Sequence, residues 1–96
     1  METRKSYHDR KEELFRELDS RIEVLKKAFD QSRSEVKLKY REQIETLRKK
    51  QETLGVRLRE LKDAGEDRWE GLKDGVEGAY EDLRKYFDGL AGRFRR

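Results

Sequence analysis

The chain has 96 residues, of which 32% are apolar and 49% charged, and it contains no Pro and no Cys. So few apolar groups exclude a large globular core, and the Glu, Lys, Arg and Leu content without Pro is that of long helices or coiled coil. The 25 basic and 22 acidic side chains nearly cancel, giving a net charge of +3, which is a polyampholyte and not a polyanion-binding surface.

The balance shifts along the chain. Residues 1–63 carry 18 basic and 14 acidic groups, residues 64–96 carry 7 and 8. With no Cys, disulfides and thiolate metal sites are ruled out. The start, Met1 to Ser6, has no apolar core of a secretory signal, and the longest apolar run is two residues, too short for a transmembrane helix. A cytoplasmic address is the expectation.

Residues 1–7 are polar and are expected to fray. From about Asp9 the apolar groups, Leu14, Phe15, Leu18, Ile22, Leu25, Phe29, Val36, Tyr40, Ile44, Leu47, Leu54, Leu58 and Leu61, recur mostly three and four apart. That spacing predicts a long amphipathic helix over 9–62. Acid-before-base pairs four apart, such as Glu12–Arg16 and Glu45–Lys49, support it. The spelling Ser32-x-x-Glu35 is that of a capping box and marks one place where the helix could fold back. Gly55 stands alone in a strong pattern and is expected to be tolerated. Asp63-Ala-Gly65-Glu-Asp67 is the stronger turn, with Gly65 as C-cap and the acids suited to a new N-terminus.

A second amphipathic helix is predicted over 66–93. On it Trp69, Leu72, Val76, Ala79, Tyr80, Leu83, Tyr86, Phe87, Leu90, Ala91 and Phe94 fall within one arc of about 140°, while Gly71, Gly75, Gly78, Gly89 and Gly92 lie mostly opposite. Each glycine lowers the helix's own stability by up to about 1 kcal/mol, so this segment needs its apolar face covered. An eleven-residue unit also runs through the chain. Leu14, Leu25, Val36, Leu47, Leu58, Trp69, Tyr80 and Ala91 are all apolar at that spacing. Eleven residues are three turns at about 3.67 residues each, a nearly straight stripe.

Catalytic chemistry is poorly supplied. The one histidine, His8, lies in the expected frayed start; with Glu12 one turn away it could share a metal, but two ligands rarely make a site. No Glu-x-x-His spacing and no phosphate-binding Gly-Lys-Ser or Gly-Lys-Thr occurs. The residues predict no enzyme, no cofactor and no small-molecule substrate. Lys37, Lys39 and Arg41 with Arg48, Lys49 and Lys50 could meet phosphates, yet Glu42, Glu45 and Glu52 interleave with them and argue against nucleic acid. The aromatic face of the second helix, with Lys73 and Arg84 near its edge, could lie on a membrane surface, although the opposite face is acidic. Packing on another helix of the same chain or of a second copy is the plainer use of that face.

The segment Trp69-Glu-Gly-Leu72-Lys73-Asp-Gly75-Val76-Glu-Gly-Ala79-Tyr80-Glu-Asp-Leu83 resembles the tail of a group of small bacterial coiled-coil proteins linked to stress response, and Tyr40-Arg-Glu-Gln-Ile44-Glu-Thr-Leu47-Arg is similar to their central helix. The resemblance spans roughly residues 18–95 and implies a stress-related coiled-coil protein. More distantly, the eleven-residue period is similar to that of exchangeable apolipoproteins and desiccation-protective helical proteins; the glycines depart from both.

The expectation is therefore a single all-α domain over 1–96: a long amphipathic helix plus a shorter C-terminal one, as helical hairpin or coiled coil. The shorter helix would leave much of the N-terminal stripe bare. That implies self-association or, alternatively, a fold-back near Ser32 into a three-helix bundle. The expected function is a non-enzymatic structural or interaction protein acting through the Trp69–Phe94 face.

Overall fold

The structure is a computed structural model that describes residues 3–94. Among them the chain forms three helices and no strand: α1 (Arg4–Asp30), α2 (Ser34–Lys62) and α3 (Glu66–Phe94). Connections of three residues, 31–33 and 63–65, join helices of nearly equal length, so neighbours run antiparallel and α1 runs parallel to α3. The body measures 50 × 20 × 17 Å, one helix long and two helices across.

The single helix expected over 9–62 is two helices. No Gly or Pro forces the break; burial does, because a straight rod would leave the apolar residues of α1 in water. The chain turns where its local bonds are easiest to redirect. Gln31 N and Ser32 N donate to Lys27 and Phe29 carbonyls at 3.1 Å each, and the Ser32 hydroxyl donates to the Phe29 carbonyl. Arg33 is extended at φ −68°, ψ 155° and precedes α2 with no side-chain cap. Ser32 thus ends α1 and does not cap α2, so the capping-box spelling marked the right place with the wrong chemistry.

At the second turn Gly65 has negative φ and is not a left-handed C-cap. Its carbonyl instead accepts from Arg68 N at 3.2 Å, the first bond leading into α3. Gly55 is accommodated inside α2, where an added Cβ would meet Phe15 Cε2 at an ordinary 3.9 Å. The helical start is also earlier than expected. Thr3 Oγ1 accepts from Ser6 N at 3.0 Å, capping α1, and Tyr7 and His8 are buried, not frayed.

The deepest side chains are Ile22, Leu47, Leu54, Leu61, Val76, Leu83 and Leu90. Within α2 and within α3 they are seven residues apart, and the intervening core positions follow at alternating steps of three and four. On α2 that row is Tyr40, Ile44, Leu47, Gln51, Leu54, Leu58 and Leu61. On α1 it passes through His8, Phe15, Leu18, Ile22, Leu25 and Phe29. The interior therefore has coiled-coil spacing. In the eleven-residue column Leu25, Leu47, Leu58 and Ala91 are buried, Trp69 and Tyr80 pack at the margin of the core, and Leu14 and Val36 are only half-buried. The fold is an all-α three-helix bundle.

Side-chain size sets the spacing of the layers. α3 lies closest to α2, and Gly75 and Ala79 help, since an added Cβ at Gly75 would touch Arg57 Cδ at 3.6 Å. The seam between α1 and α3 is filled by aromatic rings and has few close backbone approaches. No helix among the described residues is long and apolar enough to cross a membrane.

Candidate interaction face on the third helix

The face expected to meet a partner is turned inward. Val76 and Leu83 are 0% exposed and Phe87 is 4% exposed, whereas Trp69, Leu72, Tyr80 and Phe94 pack half-buried at the margin of the core. The two ends of the stripe are its accessible parts. At one end Trp69 meets Tyr7 edge-on, with ring centroids 5.4 Å apart, and lines a surface groove of about 490 Å³ together with Arg4, Glu66 and Lys73. At the other end Phe94 stands 6.5 Å from Phe29 and 5.8 Å, edge-on, from Tyr40. Edge-to-face rings at these separations contribute beyond their buried area.

Around the Trp69 end, groups from all three helices converge. Tyr7 Oη donates to Glu77 at 2.6 Å, joining α1 to α3. His8 Nε2 lies 3.1 Å from the Leu58 carbonyl; since a carbonyl only accepts, this nitrogen carries the proton, which ties α1 to α2. Asp9 lies 3.6 Å from His8 Nδ1 and Glu12 3.9 Å from Nε2. Lys73 sits over the rings of Tyr7 and Trp69, 5.0 and 5.5 Å from their centroids.

Sequence reasoning missed this convergence. A signal existed: His8 continues the seven-residue row of Phe15, Ile22 and Phe29 toward the N-terminus. It also missed Gln51, a polar residue on the core row of α2. Gln51 donates to Asp19 and accepts from Lys26 at 2.9 Å, both on α1.

Two arginines of the surface each bridge two carboxylates of their own helix. Arg48 bridges Glu45 at 2.5 Å and Glu52 at 2.6 Å, and Arg84 bridges Glu81 at 2.9 Å and Asp88 at 3.3 Å. The Arg48 hydrogen bond holds the Glu45 carboxyl below its ordinary range, and Arg84 does the same to Glu81. Of the basic runs, Lys50 pairs with Asp82 at 2.6 Å and Lys39 lies over Tyr40, while Lys37, Arg41 and Lys49 are exposed. Among the described residues no group of three or more His, Asp or Glu could hold a metal ion.

What the fold and this face define is a small helical bundle of coiled-coil spacing with an ion-paired shell. In comparison with known proteins, the chain matches no family model, no curated protein and no solved structure.

Proposed function

We propose that this chain is a non-enzymatic structural or interaction protein that engages a helix of a partner, a second copy foremost, through the Trp69–Phe94 face of α3. The observation that supports the reading is the seven-residue row Val76, Leu83 and Leu90 flanked by Leu72, Ala79 and Phe87. Such a surface accepts any helix that offers knobs at the same spacing, whether from its own chain or another. Fold-back near Ser32 already covers the apolar area that a two-helix chain would have left bare. Association therefore proceeds by exchange of α3 or at the half-covered ends around Trp69 and Phe94. The stress-related setting rests on the resemblance of the Trp69–Leu83 and Tyr40–Arg48 segments alone.

Sedimentation across a dilution series, with Trp69 emission read on the same samples, tests this. The expected result is a mass above the 11.6 kDa of one chain that falls on dilution as Trp69 emission moves red. A single chain mass with unchanged emission at every concentration removes self-association. A blue shift that appears only with anionic vesicles replaces the helix partner with a membrane surface.

A further inference from the structure

Two independent features set α3 apart from the pair α1–α2, although its backbone lies closest to α2. The first is where polar side chains cross the interior. His8 to the Leu58 carbonyl, and Asp19 and Lys26 to Gln51, all join α1 to α2. The seam from α2 to α3 is apolar inside, with the Lys50–Asp82 ion pair at the surface, and α3 receives one part-buried polar tie from α1, Tyr7 to Glu77. Apolar contact is strong but undirected, so it holds α3 without dictating a unique partner.

The second is the glycines of α3. All have negative φ, so none is demanded by the backbone. A Cβ added at Gly71, Gly78, Gly89 or Gly92 would meet nothing within 4 Å, so none is demanded by packing. α1 contains no glycine and α2 only Gly55. The cost to helix formation thus falls on α3, which like α1 is a terminal helix joined to α2 by a single connection.

We infer that α3 is a detachable layer: it leaves and rejoins as a unit while α1 and α2 stay paired. Detachment breaks the Tyr7–Glu77 hydrogen bond and the Lys50–Asp82 pair, and it bares the row from Trp69 to Phe94 on one side and Leu47, Leu54 and Leu61 on the other. This deepens the interaction reading by supplying the step that uncovers its face. It is tested on the chain alone, so a detaching α3 with no partner would fail that reading and leave this one standing.

The experiment is native-state amide exchange by NMR, at concentrations low enough that the rates no longer depend on dilution. Core amides of α3, such as those of Leu83 and Phe87, are expected to exchange at least tenfold faster than those of Ile22 and Leu54. The four-site variant Gly71→Ala, Gly78→Ala, Gly89→Ala, Gly92→Ala puts side chains only into open space and keeps the fold. It is expected to slow exchange in α3 on the order of a hundredfold. Equal protection in all three helices, α1 exchanging first, or unchanged exchange of α3 in the variant would overturn the inference.

Discussion

The side-chain amide of Gln51 donates to Asp19 across the seam between α1 and α2, at a core position where every neighbour in its row is apolar or aromatic. Lys26, seven residues further along α1, completes the arrangement by donating to the other end of the same amide at 2.9 Å. The column that contains these partners reads Glu12, Asp19, Lys26, Arg33 at seven-residue steps. Gln51 sits where its sign reverses. A slip of seven residues one way would face the amide with two acids, the other way with two bases. Only the observed register satisfies both ends of the amide.

Removing one partner should therefore cost more than removing the whole arrangement. Asp19→Ala leaves the Gln51 NH₂ without its acceptor and is expected to lower stability by about 1–2 kcal/mol in urea unfolding. Gln51→Leu is expected to match or exceed the parent in stability while showing additional NMR resonances from slipped pairings. A single set of resonances in Gln51→Leu would mean that apolar packing alone sets the register.

His8 is 7% exposed and acts as a structural tie near the closed end. His8→Ala is expected to cost about 1–3 kcal/mol, because it opens the end of the core and orphans part of the seam. Nitrogen NMR at neutral pH should find the proton on Nε2. A variant as stable as the parent would put this residue back among frayed terminal groups.

Two leucines of α2 give opposite outcomes for the same substitution. Leu54 is 1% exposed and Leu38 is 72% exposed. Leu54→Ala is expected to lose about 2–5 kcal/mol through lost burial and the cavity left behind, whereas Leu38→Ala should stay within about 0.5 kcal/mol of the parent. Thermal or urea midpoints of the two variants decide it.

Acid should weaken the surface clusters in a defined direction. Glu45 and Glu81 have ordinary values of 4.5 and are lowered in the fold, chiefly by hydrogen bonds from Arg48 and Arg84. Their contribution is therefore fully present above the unfolded value and is lost as pH falls through the lower folded one. Both sites are open to water, so salt should screen the effect. In an NMR titration, Arg48→Gln should move Glu45 upward toward 4.5, and Arg84→Gln should do the same for Glu81. Unmoved titrations would remove the arginines as the cause.

Much of the helical content was legible because amphipathic spacing is a local property. The segment predicted over 66–93 is α3, Glu66–Phe94, within one residue at its C-terminus, and the stripe that includes Leu47, Leu58 and Leu61 is core. The first break was visible only as an alternative. Gln31, Ser32 and Arg33 carry neither Gly nor Pro, and the acid–base pairs of α1 and α2 would support a straight helix equally well. The burial of Tyr7 and His8 was hidden for a related reason, since their value lies in contacts with Trp69, Glu77 and Leu58, far along the chain.

The sequence by itself determined that the chain is helical and where its apolar stripes run; of its acid–base pairs Glu12–Arg16 forms, whereas Glu45 pairs with Arg48 and not with Lys49. The helicity and the stripes follow from intervals of three and four residues, which any helix converts into faces. Tertiary structure alone decided that there are three helices and not two. It also decided that the α3 face points inward and that Gln51 lies between an acid and a base. Each of these depends on which stripe covers which, and burying apolar area between distant segments outweighs the small local preferences that would have kept α1 and α2 continuous.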